Sequence, residues 1–220
     1  MTLLSDSAVL RHLDYGSIVI EPFDPTRLNT DSYDLELGPF FWRYDRMLNR
    51  RPADMAKGKG FTLVDAREDG GVWLDPGERV LGHSVEIAGG TVGIPPDQTG
   101  TPVPVAVTSH LQATSTAGRH GLTVCECAGW GDVGFVNIWT FEITNKLFDR
   151  MWLPVGAIVA QVAFSQVEVP TAQYSAKGGH TYVLDTLDPE EIRAKWTPDN
   201  MLPKAMKVRG KWKEQTWKKN

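Results

Sequence analysis

Short runs of apolar residues, some of them alternating with polar ones, fill the middle of the chain, and this is the pattern of β-strands. Between residues 72 and 164 the runs are separated by turn-forming pairs such as Pro76-Gly77, Gly89-Gly90 and Pro95-Pro96. The strands predicted there are 72–74, 79–87, 103–107, 122–125, 137–144 and 158–164. Strands at this spacing are typical of a β-barrel or a β-sandwich, so we predict a mainly β fold.

A short helix is predicted near the N-terminus, between Ser5 and Gly16. Serine can cap the free N–H groups of a helix start, and glycine can close a helix end. Val9, Leu10 and Leu13 are the positions that we predict to face inward. The segments predicted next are strands at 18–20 and 33–37, and a surface excursion over 45–71 with a short strand at 61–64.

A second helix is predicted to start at Asp188, because Pro189 and Glu191 stand at positions that favour a helix start. Thr197-Pro198 ends that helix, and the residues beyond it form an arm that needs a surface to lie on. A neighbouring subunit is one candidate for that surface. We therefore predict a domain over residues 1–185 and a helical, basic C-terminal extension over residues 186–220.

The composition is that of an ordinary globular protein, which excludes disordered, collagen-like and coiled-coil chains. The 220 residues are 41% hydrophobic and include 23 Lys or Arg against 27 Asp or Glu. Residues 201–220 hold seven Lys or Arg and one Glu, so the body is acidic and the tail is basic. The 21 Gly and 14 Pro are spread along the chain, which indicates many turns.

The two cysteines, Cys125 and Cys127, are too close in sequence to link distant segments, so nothing suggests an oxidising compartment. The N-terminus lacks the basic and apolar regions of a signal peptide, and no run approaches the ~20 apolar residues of a membrane helix. We expect a soluble, cytoplasmic protein with no membrane contact.

A zinc site is tested first, because His120, Cys125 and Cys127 lie close together. Structural zinc sites use Cys-x(2–4)-Cys pairs, whereas this chain has one Cys-x-Cys pair and no second pair. The signatures of zinc deaminases, serine nucleophile elbows and phosphate loops are absent as well. We predict no zinc site.

Two segments are candidates for chemistry. Residues 113–122 place three hydroxyls and two glycines beside Arg119, so they could bind an anion, and a solvated turn is the alternative. Glu142 interrupts an apolar, threonine-rich strand that follows a glycine-rich loop containing Asp132. A carboxylate at that position either faces solvent or is partly desolvated and suited to proton transfer.

Six segments, in this order and at this spacing, resemble the dCTP deaminase branch of the deoxyuridine triphosphatase superfamily. The resemblance runs from residue 4 to about residue 164. The segments are 20–25, 29–38, 74–83, 115–122, 128–135 and 154–161.

The resemblance implies a distorted β-barrel or jelly-roll fold, assembled as a homotrimer with active sites between subunits. It implies dCTP, or a modified dCTP, as the substrate of a zinc-independent deaminase, with Mg²⁺ held on the triphosphate. Glu142 matches the family's general base and acid, and Ser115 and Arg119 match its essential serine and arginine. The nucleotide-binding residues implied in this way are Thr114, Ser115, Thr116, Ala117, Gly118, Arg119, Asp132, Thr140, Phe141, Glu142, Tyr174 and Thr181.

The chain departs from the family pattern before the predicted phosphate-binding serine and in the C-terminal closing segment that covers the nucleotide in the family. Ala113-Thr114 stands where the family has Gly-Arg before the serine, and Thr181-Tyr182 stands where its closing segment has Lys-Tyr. Lys177 or His180 could substitute for the missing cation of that closing segment.

Three functions stay open at this point. The first is a dCTP deaminase, with or without further hydrolysis of dUTP to dUMP and diphosphate. The others are a dUTP diphosphatase that does not deaminate and a catalytically weak nucleotide-binding homologue; the position of Glu142 favours deamination. Nucleic-acid binding by the basic tail, with its Trp212 and Trp217, has less support, because the tail can pack on the acidic body.

Overall fold

The chain folds into two antiparallel six-stranded sheets, with a two-stranded sheet beside them. The computed structural model describes residues 1–46, 49–126, 128–172, 174, 182 and 184–204. The helices in these residues are α1 (Asp6–Asp14), α2 (Pro52–Met55), α3 (Ser115–Arg119) and α4 (Pro189–Lys195), with 3₁₀ turns at Pro25–Arg27 and Pro198–Met201. The strands are β1 (Thr2–Leu3), β2 (Ile18–Glu21), β3 (Tyr33–Glu36), β4 (Phe40–Tyr44), β5 (Phe61–Asp65), β6 (Gly71–Leu74), β7 (Arg79–Gly90), β8 (Val92–Gly93), β9 (Val105–Ala113), β10 (Leu122–Val124), β11 (Trp130–Gly131), β12 (Phe135–Asn145), β13 (Met151–Pro154) and β14 (Ile158–Val167).

Both large sheets contribute side chains to one hydrophobic core. In one sheet β14 pairs with β1, β3 and β9, and β9 also pairs with β8 and β11. In the other, β7 pairs with β2, β4 and β12, while β5 and β10 extend the two edges. The largest fully buried side chains are Tyr33, Phe41, Phe141 and Phe164. The predicted mainly β fold with short helices near both ends is confirmed, and the sheets of the described residues remain open.

All the strands predicted from the apolar pattern are present, although β9 starts later and runs further than expected. The pattern misses β4 and β13, together with the two-residue strands β1, β8 and β11. It also treats residues 45–71 as surface, whereas Phe61 is buried and Met55 packs on the same apolar cluster. Among the described residues, no helix has the length and apolarity needed to cross a bilayer.

Helix α1 presents a different stripe to the core from the one predicted. Val9 is fully buried and Leu13 packs against the core, but Leu10 is 44% exposed, so its predicted inward position is wrong. His12 lies on the same face of the helix as Val9, three residues further along, and it is buried in place of Leu10. Its Nδ1 lies 2.7 Å from Ser17 Oγ, a hydrogen bond that makes its burial tolerable.

The C-terminal helix begins as predicted. Asp188 is the N-cap residue of α4 and accepts a hydrogen bond from Glu190 N at 2.9 Å. Ser5 stands at the corresponding position of α1, but its side chain makes no capping hydrogen bond.

The extension lies on the chain's own sheet as far as residue 204. Ile192 is fully buried against Ile87, Val136 and Ile138, which belong to β7 and β12. The indole Nε1 of Trp42 donates a hydrogen bond to Pro198 O at 2.8 Å. The surface that the predicted arm needs is therefore its own chain, up to the point where the described residues end.

Candidate active site

Near Glu142, side chains of β12 point alternately into the core and toward a cavity. The odd-numbered Trp139, Phe141 and Ile143 pack in the core, and Trp139 also borders the cavity. The even-numbered Thr140 and Glu142 face the opposite way and line a cavity of about 400 Å³. The same alternation buries the side chain of Phe141 completely, so any contact of this predicted residue with a nucleotide would come from its backbone.

A bulge in β7 supports the strand that carries Glu142. Residues 84–86 of β7 stand opposite the lone Trp139 of β12, which interrupts the ladder of backbone hydrogen bonds. Ser84 Oγ fills the interruption, accepting a hydrogen bond from Trp139 N at 2.8 Å and donating one to Glu86 O at 2.6 Å. The polar groups freed by the bulge are thus satisfied inside the protein.

Part of the cavity lining is polar. Asp132, Thr140, Glu142 and Tyr174 all line it, so four residues predicted from the sequence come together. Burial raises the pKa of the Tyr174 phenol, and the nearby charge of Asp132 adds to that shift. Tyr174 is therefore a neutral phenol at physiological pH and can donate a hydrogen bond.

The lining also includes an apolar wall, which joins two segments that are distant in sequence. Met55 comes from the excursion between β4 and β5, and Met201 comes from the C-terminal extension. Both pack with Leu81, which stands directly across from Glu142 in the pairing of β7 with β12. The carboxylate of Glu142 thus lies at the boundary between polar and apolar walls.

The sequence predictions omit this apolar wall. Tyr44, Trp196 and Pro203 also line the cavity beside these residues, as does the polar Asn200. The available signal was the run Met201-Leu202-Pro203, which is too apolar for an arm that lies in solvent.

Cys125 lies beside the cavity, and its thiol is unreactive. Its Sγ is 3.6 Å from Thr140 O, and burial, together with the charge of Glu142, raises the pKa of the thiol to about 12. A protonated thiol is a poor nucleophile and a poor metal ligand.

The predicted absence of a zinc site is not tested by the structure. Cys127 lies outside the described residues, and those residues contain no group of three or more His, Cys, Asp or Glu that could hold a metal. The absence of zinc stays a prediction.

The predicted phosphate-binding segment forms α3 and lies away from the cavity. Thr114 Oγ1 caps α3 by accepting a hydrogen bond from Ala117 N at 3.1 Å, and Ala117 packs into the core. The other side chains and the glycine are exposed, namely Ser115, Thr116, Gly118 and Arg119. None of residues 114–119 lines the cavity that holds Glu142, so within the described part of one chain the two predicted halves of the site are separate.

Of the closing segment, residues 174–185, the structure describes Tyr174, Tyr182 and residues 184–185. Tyr182 lines the cavity, and Asn137 Nδ2 donates a hydrogen bond to its carbonyl oxygen. The predicted Thr181 lies outside the described residues, as do Lys177 and His180.

Comparison of the sequence with known proteins identifies its family. Residues 3–167 match the family model described as dCTP deaminase-like. The chain belongs to the dCTP deaminase-like family. The dUMP-forming dCTP deaminase of Kocuria rhizophila is 31% identical over 182 residues, which cover 81% of this chain and 86% of that protein. The dCTP deaminase of Natronomonas pharaonis is 30% identical over 190 residues, which cover 82% of this chain and 89% of that protein.

A solved structure supports the fold of this dCTP deaminase-like chain. The 2'-deoxycytidine 5'-triphosphate deaminase from Agrobacterium tumefaciens matches with a TM-score of 0.52 at 18% sequence identity. The match covers 76% of this chain and 48% of that chain, so it spans about half of the longer protein. The predicted family and class of enzyme are confirmed.

Proposed function

We propose that this dCTP deaminase-like protein hydrolyses the 4-amino group of dCTP, or of a modified dCTP. The observation that carries the proposal is Glu142, a half-buried carboxylate in a cavity that it shares with Asp132, Thr140 and Tyr174. The relatives named dCTP deaminase support the same chemistry.

Glu142 acts as both general base and general acid in this proposal. Its carboxylate takes a proton from a water molecule whose oxygen adds to C4 of the pyrimidine. The carboxyl group then returns a proton to the 4-amino group, which leaves as ammonia and yields dUTP. The apolar neighbours of Glu142, among them Leu81, strengthen its charge interactions by keeping water away.

The names of several relatives support a second hydrolysis. They are dCTP deaminases of the dUMP-forming kind, so we propose that dUTP is converted further to dUMP and diphosphate. In that step water adds to the α-phosphorus and diphosphate leaves. Ser115 and Arg119 supply a hydroxyl and a guanidinium suited to phosphate oxygens. Mg²⁺, when bound on the triphosphate, would neutralise its charge.

The active protein is proposed to be a homotrimer with sites between subunits. The exposed helix α3 carries Ser115 and Arg119 but lies outside the cavity of Glu142. A neighbouring copy that presents its own α3 to this cavity would complete the site, as the family resemblance implies.

Product analysis tests the proposal. Purified protein is incubated with dCTP or dUTP and Mg²⁺, and ammonia, diphosphate, dUTP and dUMP are measured together. Ammonia with dUMP supports the bifunctional enzyme, and ammonia with dUTP supports the deaminase alone. Hydrolysis of dUTP with no ammonia from dCTP would identify a diphosphatase, and no turnover of either nucleotide or of 5-substituted dCTPs would refute the proposal.

The variant Glu142→Gln isolates the proton-transfer step. We expect ammonia release to fall by at least about a hundredfold, the usual scale of general acid–base catalysis, because the amide cannot accept the proton of water. Nucleotide binding should persist, since Gln has the same shape. The matched control is Glu68→Gln, an exposed glutamate outside the cavity, which should keep full activity. Retained deamination in Glu142→Gln would remove Glu142 from its assigned role.

A further inference from the structure

The C-terminal extension forms a fixed wall of the cavity. Pro198 O accepts a hydrogen bond from Trp42 Nε1, and Lys204 N donates one to the hydroxyl of Tyr182 at 2.9 Å. Between these two attachments Met201 is only 2% exposed. A segment held at both ends and packed in its middle keeps its side chains in defined positions.

Asn200 has an amide whose orientation is set by a helix cap. Its Oδ1 accepts hydrogen bonds from Thr197 N at 2.8 Å and from Thr197 Oγ1 at 3.3 Å. The backbone N–H of Thr197 can only donate, so the atom that faces it must be the oxygen. The Nδ2 group is therefore directed away from the cap, and it has no hydrogen-bond partner within the described part of the chain.

This amide lines the same cavity as Glu142. Its neighbours in the extension that also line the cavity are the apolar Trp196, Met201 and Pro203, and the same cavity holds the carboxylates of Asp132 and Glu142. A triphosphate would be repelled by those two carboxylates. The chemical group that suits an NH₂ donor here is an uncharged acceptor, such as a ring carbonyl of the nucleotide base.

We propose that Asn200 is a substrate-binding residue whose fixed Nδ2 donates a hydrogen bond to an uncharged acceptor of the pyrimidine nucleotide. The assignment rests on the proposed function, because it takes the cavity of Glu142 to be the base pocket. It gives the extension a role in selecting the substrate, alongside the residues of β12.

Two substitutions separate this contact from the cap. Asn200→Ala removes both the cap acceptor and the donor, whereas Asn200→Asp keeps an acceptor for Thr197 N and loses only the donor. We expect the KM for dCTP to rise about tenfold in both variants, the effect of one lost hydrogen bond, with little change in kcat. The melting temperature should fall in Asn200→Ala and stay near that of the parent in Asn200→Asp.

Controls make each outcome decisive. Gln98→Glu makes the same amide-to-carboxylate exchange on an exposed loop and should leave KM unchanged. Asn200→Ala adds no charge, so a rise in KM shared by both Asn200 variants reports the lost donor. A KM for Asn200→Asp equal to that of the parent would reduce Asn200 to a capping residue and overturn the proposal.

The failure of the proposed function gives a different signal. Parent protein that releases no ammonia from dCTP or from 5-substituted dCTPs contradicts the deaminase, whatever the Asn200 variants do. Calorimetric titration with dCTP in a Glu142→Gln background measures the contact independently of turnover. Binding that is about tenfold weaker in both Asn200 variants supports the contact, and unchanged binding overturns it.

Discussion

At the residue scale, His83 shows how one buried polar group links the sheet to the extension. Its Nδ1 donates to Ser84 O at 2.8 Å, and its Nε2 accepts from Phe40 N at 3.3 Å, so the neutral ring is fully hydrogen-bonded. The ring of Trp196 lies 4.7 Å from it, centroid to centroid. Burial lowers the pKa of His83 to about 4.

The shifted pKa of His83 predicts an acid-sensitive fold. The unfolded chain binds a proton at this residue below its ordinary pKa of 6.5, whereas the folded chain binds one only near pH 4. The contribution of His83 is therefore complete above pH 6.5, and the free energy of unfolding falls by up to about 1.4 kcal/mol per pH unit between the two values. Urea unfolding from pH 7 to pH 4.5 measures this slope.

The variant His83→Gln tests whether His83 causes the change in the free energy of unfolding with pH. Glutamine can keep one donor and one acceptor but does not titrate, so we expect a shallower decline of stability with acid. His120→Gln, at an exposed histidine, should retain the parental slope. An unchanged slope in His83→Gln would show that other groups cause the acid sensitivity.

At the element scale, helix α4 holds the extension against the sheet through the apolar side chain of Ile192 and through Arg193, whose Nη2 donates a hydrogen bond to Glu21 O at 3.1 Å. Ile192 is fully buried between α4 and the strands β7 and β12. Its neighbours on the helix are exposed, including Arg193 and Lys195. The position of the pocket wall therefore depends in part on a small apolar contact.

The variant Ile192→Ala should loosen this contact. Removing three carbons from a buried site costs about 2 to 5 kcal/mol, which is enough to free a short helix from the sheet. We expect trypsin to cleave the extension faster at Arg193 and Lys195, and the KM for dCTP to rise. Ile192→Val, which leaves a smaller cavity, should behave nearly like the parent protein. Equal cleavage rates in all three proteins would contradict the anchoring role.

The sequence predicts the elements better than it predicts the pocket. Strand β12 is evident because its apolar residues form a run of strand formers, and Glu142 stands out within it. Met55 and Met201 are about 146 positions apart, and no local pattern indicates that they share a wall. The β7 bulge at 84–86 is also invisible in the sequence, since it depends on how two strands pair.

The segment 113–122 illustrates the same limit. Its hydroxyls and glycines suggest either a turn or an anion site, and the structure shows the short helix α3 instead. Thr114 caps α3 and Ala117 packs into the core, so these two predicted nucleotide-binding residues also stabilise the helix. The part that they play toward a nucleotide stays a prediction.

At the scale of the whole molecule, the two candidate halves of the active site lie apart on one chain. Ser115 and Arg119 are exposed on α3, while Glu142 lines the cavity beside β12. A site assembled from two copies requires that inactive variants from the two halves can rescue each other.

Subunit mixing tests this requirement. Glu142→Gln and Arg119→Ala are each expected to be inactive, but an exchanged mixture of equal parts should regain about a quarter of the parental activity, because a site needs an intact residue from each of two subunits. Each variant taken alone through the same exchange serves as the control. A mixture that stays inactive would place the whole site within one subunit.

The apolar wall has a consequence for how substrate choice can change. Met55 and Asn200 belong to segments outside the strand pairing of β7 with β12, so they can be replaced without moving the carboxylate of Glu142. If the proposed roles of Asn200 and Glu142 hold, recognition and chemistry lie on separable segments around the same cavity. We then expect an exchange of residues 186–204 between homologues to alter which nucleotides are accepted while leaving strand β12 intact.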